Sequence, residues 1–298
     1  MTLLTKQIEN ACWEKLPNKF ALVFDGWSKA SMHFIGIFTT FTDENQESHY
    51  AKVMLAFSPM IEKKFGADEH VDFIKWVLEL YCKSLENVVA LIGDNVAVNK
   101  SIATKCNLPL ISCASHQFSL AMQEYQKPHA DLLSKINSLM FKLKQLKLSS
   151  KLRQHSNLRP VQRNNTRWTS TYAMISRFIE LHDVLSNSQF STDRTLIEFL
   201  PTPYECAEIA KLHVHLKKFN SVHLALQRED ICIAELRLLF DSIITNYPML
   251  AKYLSLDAEI IHSPSLEKAI SKIQNEKTSL LATDEKDCHC PEARCCNC

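Results

Sequence analysis

The sequence contains very little glycine. Only four of its 298 residues are glycine, which disfavours a glycine-rich all-β architecture and favours helices. Long apolar runs are also missing, since none approaches the roughly 20 residues that a membrane-spanning helix needs. The amino-terminal residues MTLLTKQ lack the apolar core of a signal peptide. The sequence therefore predicts an intracellular protein without a membrane-spanning helix and with reduced thiols.

Acidic residues are missing from one long segment, although the net charge of the whole chain is only +1. Between Leu132 and Ile179 there is no aspartate or glutamate, whereas ten residues are basic. These ten are Lys135, Lys142, Lys144, Lys147, Lys151, Arg153, Arg159, Arg163, Arg167 and Arg177. Unopposed positive charge attracts polyanions. The segment predicts a nucleic-acid surface, unless acids from elsewhere in the fold neutralise a solvated helix face.

The remaining composition is that of an ordinary globular protein. With 46% apolar residues and 298 residues in all, the chain can form one large domain or two smaller ones. Five of its eleven cysteines lie between Cys288 and Cys298. Such a thiol-rich tail could bind a soft metal ion. Because its cysteines do not form two spaced pairs, a disordered or adventitious terminus is the favoured interpretation, and a tail read in an errant frame is a further alternative.

Two apolar runs are each followed by an aspartate. The run FALVF, residues 20–24, precedes Asp25, and the run VVALIG, residues 88–93, precedes Asp94. Short apolar runs of this kind are typical of buried strands. If the two strands are adjacent and parallel, their carboxylates meet at one edge of the sheet, where Mg²⁺ or Mn²⁺ can be held. The alternative is that each aspartate only caps a turn or a helix.

The pattern of apolar residues predicts a mixed sheet flanked by helices. The expected elements are strands at 20–25, 33–42, 50–57, 88–93 and 108–112, and helices at 67–83, 96–105 and 115–125. Beyond Pro128 the pattern is helical, with a stripe formed by Leu132, Ile136, Leu139, Leu143 and Leu146. Three antiparallel strands followed by alternating helices and strands is the order of the ribonuclease H-like fold. In that arrangement strands one and four are parallel neighbours, which would bring Asp25 and Asp94 together.

Two further clusters carry candidate chemistry. Cys113 and His116 are spaced so that both could ligate one metal ion, or they are a buried thiol and a hydrogen-bonded histidine. The stretch RNNTRW, residues 163–168, combines arginines that match phosphates with an indole that can stack on a base. In the alternative interpretation, Trp168 anchors a helix in the core and Arg167 caps that helix.

Taken together, these residues resemble the hAT superfamily of DNA transposases and the host proteins derived from it. FDGWS at 24–28, IGDN at 92–95, CASHQFSL at 113–120 and TRW at 166–168 occur in the family's order. A later stretch, 216–248, is similar to the family's helical insertion. The resemblance implies a ribonuclease H-like core interrupted by an all-helical insertion.

The resemblance also implies roles for individual residues. Asp25 and Asp94 would be the first two acids of an Asp-Asp-Glu site that holds Mg²⁺ or Mn²⁺. Cys113 and His116 would match the element near that site, and Arg167 with Trp168 the pair that handles the transposon end. No third acid is assigned, although Glu259, Glu267 and Glu276 are available, and counterparts of the family's dimerisation block and zinc finger are not recognised.

From this we expect a nuclear, transposase-derived DNA-binding protein without strand-transfer activity. The predicted DNA-binding residues are Lys142, Lys144, Lys147, Lys151, Arg163, Arg167 and Trp168. One alternative is an active metal-dependent nuclease or transposase whose third acid comes from 257–276 or from a partner chain. Another is a non-catalytic protein-interaction module. The expected layout is a connector at 1–19, a ribonuclease H-like core at 20–130, a helical insertion at 131–265 and a disordered tail at 266–298, with the oligomeric state open.

Overall fold

A computed structural model of the chain describes residues 3–43, 50–60, 66–164, 168–228 and 231–274. They form an α/β structure with one five-stranded mixed sheet and many helices. The strands are β1 (Phe20–Lys29), β2 (Met32–Thr42), β3 (Tyr50–Met60), β4 (Val88–Gly93) and β5 (Leu110–Ser112). The helices are α1 (Leu3–Lys15), α2 (Ala67–Leu80), α3 (Ala97–Cys106), α4 (Ala114–Gln126), α5 (Ala130–Leu143), α6 (Leu146–Arg153), α7 (Thr169–Ser186), α8 (Ser188–Ser191), α9 (Pro203–Ala225), α10 (Ile233–Asn246), α11 (Ala251–Leu254) and α12 (Pro264–Gln274). None of the helices in these described ranges is long and apolar enough to span a bilayer.

The sheet has the strand order β3-β2-β1-β4-β5. β1 is antiparallel to β2 and parallel to β4, as the sequence predicted. On one face of β1 the side chains of Phe20, Leu22 and Phe24 are buried, which is the period-two burial expected of a strand. They pack into a core that α2 completes with Ile74 and Leu78. The helices on this face therefore position the sheet by apolar contact.

Two predicted strand ends are wrong. β1 runs past Asp25 to Lys29 because its second half pairs with β2, whereas the pairing with β4 stops at Val23 and Ile92. β3 runs through Pro59 to Met60. A proline is tolerated there because β3 is an edge strand, with no further strand beside it among the described residues.

The chain forms two compact units, one of which interrupts the other. The described parts of 1–117 and 229–298 form the sheet unit, and 118–228 form the helical unit. Compared with the predicted insertion, 131–265, the helical unit begins earlier in the chain, and α10 and α11 belong to the sheet unit. The predicted disordered tail is also corrected, since α12 continues to Gln274. Residues 275–298, with the cysteine-rich tail, lie outside the described residues.

The helical unit has an apolar core of its own. α5 buries Ile136, Leu139 and Leu143 from the predicted stripe. Leu146 is 89% exposed, because α5 ends at Leu143 and a new helix, α6, begins at Leu146. Contacts of α7 with α5, α8 and α9 extend this core. The period of the apolar residues thus identified the helix, but not the break that ends it.

Candidate functional site

Asp25 and Asp94 meet beside the sheet. The parallel register pairs Val23 with Ile92, and continuing it by two residues sets Asp25 opposite Asp94. The pKa of Asp25 is raised, first because the carboxyl is partly buried and second because the charge of Asp94 is near. The structure therefore brings the two predicted metal ligands together, although Asp25 lies within its strand and not at its end.

Asp94 is held by the two residues of the Cys-x-x-His element. Nδ1 of His116 lies 3.1 Å from Oδ2 of Asp94, and this hydrogen bond is the main cause that lowers the pKa of Asp94. The Cys113 thiol also hydrogen-bonds to the Asp94 carboxylate. The backbone N–H of Cys113 donates to the Gly93 carbonyl at 2.9 Å. Both side chains therefore orient an aspartate.

This arrangement does not support a metal ion shared by Cys113 and His116. Burial raises the pKa of the Cys113 thiol, which disfavours the thiolate that a metal ion requires. Within the described ranges, no three His, Cys, Asp or Glu side chains come together as a metal-binding group. Of the alternative interpretation, the hydrogen-bonded histidine is found in the structure, whereas the Cys113 thiol is only partly buried.

The donor chemistry of the acid pair fits Mg²⁺ or Mn²⁺ as a partial site. Both ions prefer oxygen ligands, and Mg²⁺ is commonly bound by one or two carboxylates together with several waters. Asp25 and Asp94 supply two such carboxylates, and one oxygen of Asp94 already accepts a hydrogen bond from His116. The described chain thus provides two ligands for the ion and no third carboxylate beside them.

Sequence reasoning missed the group that fixes the neighbouring strand. The Glu267 side chain on α12 is buried, with 6% of the residue exposed, and its Oε1 accepts a hydrogen bond from the Ser112 backbone N–H at 2.9 Å. Oγ of Ser112 donates to Oδ1 of Asn95 at 3.0 Å. Nδ2 of Asn99 donates to the carbonyl of Asp94 at 2.9 Å. The polar residues around Asp94 are therefore joined to a helix far along the chain.

The segment after the helical unit does return to the sheet, contrary to the sequence-based expectation. α12 packs against α10, and Glu267 reaches the end of β5. Its carboxyl does not join Asp25 and Asp94 in a metal-binding group. Of the other two candidate acids, Glu259 is exposed and Glu276 lies outside the described residues.

Three of the ten basic residues in the acid-free segment are neutralised by acids from elsewhere. Nζ of Lys135 lies 2.7 Å from Glu205, Nζ of Lys151 lies 3.3 Å from Asp193, and Nε of Arg177 lies 2.7 Å from Glu180. The alternative interpretation, a helix face with its charge balanced by the fold, holds for these three. Lys151 is therefore a weaker candidate for DNA contact than its position in the sequence indicated.

Three predicted DNA-binding lysines keep their charge without an acidic partner in the described part of the chain. They are Lys142, Lys144 and Lys147, and we call them the α5–α6 basic surface. Lys142 lies over the ring of Phe199 at 5.1 Å, Lys144 donates to Oε1 of Gln162 at 3.0 Å, and Lys147 is exposed. This surface offers three positive charges, which the described acids do not neutralise, between the end of α5 and the start of α6.

Trp168 of the RNNTRW stretch is buried and is not placed to stack on a base. Trp168 is only 4% exposed, and its ring packs edge-on against Phe118 and His223 with centroid distances of 5.7 and 5.4 Å. Its indole face is therefore unavailable to a base in this structure, which corrects the predicted role and agrees with the core alternative. The Arg163 backbone N–H donates to Oδ1 of Asn137, and its own Nε is buried without a described partner. Arg167 lies outside the described residues.

No model of a known protein family matches the chain, and no curated protein matches it significantly. Any functional proposal therefore rests on the geometry of the acid pair and of the α5–α6 basic surface.

Proposed function

We propose that this chain is a transposase-derived DNA-binding protein built on a ribonuclease H-like core, and that it acts on DNA in the nucleus without strand transfer. The observation that carries DNA binding is the α5–α6 basic surface, whose lysines have no acidic partner among the residues that the structure describes. Free lysines of this kind neutralise phosphates and release counterions, which supplies sequence-independent affinity for DNA. The parallel pairing of β1 with β4 inside a mixed sheet supports the ribonuclease H-like core.

The acid pair supports descent from a transposase more than it supports strand-transfer activity. Asp25 and Asp94 would hold Mg²⁺ or Mn²⁺, which when bound would activate a water or a DNA 3′-hydroxyl for attack on a phosphodiester. Asp94 is oriented for this by His116, and Asp25 lies beside it. The described residues provide only two carboxylates at this site. Two carboxylates leave the coordination of the ion incomplete, so we expect no strand transfer.

Salt-dependent DNA affinity tests the proposal. In the double variant Lys144→Gln/Lys147→Gln we expect weaker binding to duplex DNA, and a slope of log K against log salt that is smaller by about one for each lysine that contacts a phosphate. Fluorescence anisotropy at several salt concentrations measures both quantities. The matched control is Lys217→Gln/Lys218→Gln, which removes two exposed lysines from α9 in the same unit. Equal affinity and slope in both double variants would contradict the proposal and favour the protein-interaction alternative.

The nuclease alternative has an observation of its own in the aspartate held by His116 and Cys113. It predicts that the protein nicks supercoiled DNA with Mg²⁺ or Mn²⁺. Asp25→Ala and Asp94→Ala would each abolish this nicking, whereas Asp68→Ala, an exposed acid at the start of α2, would retain it. Wild-type nicking with this pattern would replace the non-catalytic proposal with an active enzyme.

A further inference from the structure

The outer edge of β5 is closed by a helix. β5 is the last strand of the sheet, so alternate backbone N–H groups point away from β4 and need other partners. Two such groups are those of Leu110 and Ser112. The Leu110 N–H donates to Oγ of Ser263 at 3.2 Å, and the Ser112 N–H donates to Oε1 of Glu267 at 2.9 Å.

The spacing of the two acceptors explains why a helix can take the place of a strand. Ser263 and Glu267 are four residues apart at the start of α12, about one helical turn or 5–6 Å. Leu110 and Ser112 are two residues apart in a strand, about 6.6 Å. The two repeats are close enough for one helix face to serve both N–H groups. α12 therefore satisfies the edge of β5 with side chains where a sixth strand would have used carbonyls.

On the side that faces β4, the end of β5 is hydrogen-bonded to residues next to Asp94. The Cys113 N–H donates to the Gly93 carbonyl, which sets the end of β5 against the end of β4. Oγ of Ser112 donates to Oδ1 of Asn95, the residue after Asp94. Nδ2 of Asn95 is buried without a described partner, so loss of the Ser112 contact would leave both ends of this amide unsatisfied, which buried polar groups avoid.

We infer that Glu267 is a positioning residue for the acid pair. Through Ser112 it fixes the strand end from which Cys113 and His116 reach Asp94, and so it fixes the direction in which Asp94 presents its carboxylate. It acts as a hydrogen-bond acceptor of defined length in a buried setting. The part of the inference that concerns a divalent cation rests on the proposed function, whereas the part that concerns Ser112 and His116 does not.

Three substitutions separate the acceptor from the charge. Glu267→Gln keeps the length and the acceptor oxygen, Glu267→Ala removes both, and Glu267→Asp keeps the charge but withdraws the acceptor by one methylene. Glu259→Ala is the control, because Glu259 is an exposed glutamate in the segment between α11 and α12. If the alanine variant does not fold, the aspartate variant alone decides the test.

Two measurements report on position without any metal ion. In the alanine and aspartate variants we expect the Ser112 amide to exchange with deuterium at least tenfold faster and the ring resonances of His116 to move. In Glu267→Gln both should stay near their wild-type values. A folded aspartate variant with wild-type Ser112 protection and His116 resonances would overturn the inference. So would a folded glutamine variant as altered as the aspartate one.

The third measurement is the affinity for Mn²⁺, followed by the electron paramagnetic resonance of the free ion. Changes to residues that orient a metal ligand weaken binding by about 10–100-fold, and we expect this loss in the alanine and aspartate variants and recovery in the glutamine variant. Unchanged Mn²⁺ affinity despite an unprotected Ser112 amide would overturn the positioning role. If the wild type binds no Mn²⁺, the cation site of the proposed function fails, and Ser112 and His116 still decide whether Glu267 sets the geometry.

Discussion

Asp25 and Asp94 are adjacent carboxyls whose surroundings act on them in opposite directions. Burial and the neighbouring charge raise the pKa of Asp25. The hydrogen bond from His116 is the main cause that lowers the pKa of Asp94 below its ordinary value of 3.8. The fold thus favours the ionised form of Asp94 and disfavours that of Asp25.

This difference predicts opposite effects of neutralising each aspartate. Because the folded pKa of Asp25 is raised, its ionised form costs stability above that pKa, and the cost disappears as the pH falls through it. Asp25→Asn should therefore stabilise the protein at pH 7 by about 0.5 kcal/mol, a figure that allows for solvent screening of a half-exposed group. Because the folded pKa of Asp94 is lowered, its contribution is present above 3.8 and is lost as the pH falls further. Asp94→Asn should destabilise by about 1 kcal/mol.

Urea unfolding without divalent cations, measured between pH 3 and pH 8, checks both signs. The stabilising effect of Asp25→Asn should shrink as the pH falls through the pKa of Asp25 towards 3.8, and the penalty of Asp94→Asn should shrink as the pH falls below 3.8. Asp241→Asn, an exposed aspartate on α10 whose partner Arg237 is 3.5 Å away, serves as the comparison. Two variants that shift stability in the same direction at pH 7 would contradict the predicted difference between the sites.

At the scale of elements, α9 shows how strongly a helix start can be specified. Oγ1 of Thr202 accepts a hydrogen bond from the N–H of Glu205, and Oε2 of Glu205 accepts one from the N–H of Thr202. Pro203 occupies the first turn, where its missing N–H is no loss. The Glu205 carboxylate also pairs with Lys135 on α5. One residue therefore both starts α9 and joins it to its neighbour.

Removing the cap should cost a predictable amount. We expect Thr202→Ala to lower the free energy of unfolding by about 1 kcal/mol, since the N–H of Glu205 loses its acceptor. Ser221→Ala, an exposed position inside the same helix, should change stability by less than about 0.5 kcal/mol. Thermal unfolding followed by circular dichroism compares the two. A cap variant as stable as the Ser221 variant would show that α9 does not depend on its capping box.

The elements that sequence patterns predicted are the ones specified locally. Alternating or continuous apolar residues identified β1, β2 and β4, and the order of the elements predicted the parallel pairing of β1 with β4. Local sequence patterns could not predict the contact of Glu267 with Ser112, because 155 residues separate the two. The sequence around a helical glutamate does not indicate which distant group it binds. The burial of Trp168 was one of two open interpretations, since a tryptophan among arginines suits a core and a nucleic-acid surface equally.

At the scale of the whole molecule, one unit is inserted into another. The helical unit, 118–228, is one continuous stretch of the chain, whereas the sheet unit is made of two separated pieces. Those pieces depend on each other, because Ser263, which precedes α12, and Glu267 on α12 accept hydrogen bonds from the edge of β5. The helical unit has its own buried residues on α5, α7 and α9. Insertion of this kind lets a continuous unit fold independently of a discontinuous one.

The two units should therefore behave differently when they are expressed alone. We expect a fragment of residues 118–228 to be helical and to unfold cooperatively, because its buried side chains pack within α5–α9 and its size is typical of a domain. A fragment of residues 1–117 should be less stable or aggregate, because the N–H groups of Leu110 and Ser112 lose their acceptors and the edge of β5 is exposed. Circular dichroism, thermal unfolding and light scattering of the two fragments test this. Adding a separate peptide of residues 229–274 should protect the fragment of residues 1–117, whereas the same peptide with Glu267→Ala should protect it less. A cooperative, soluble 1–117 fragment that ignores the peptide would show that the sheet does not need its returning helix.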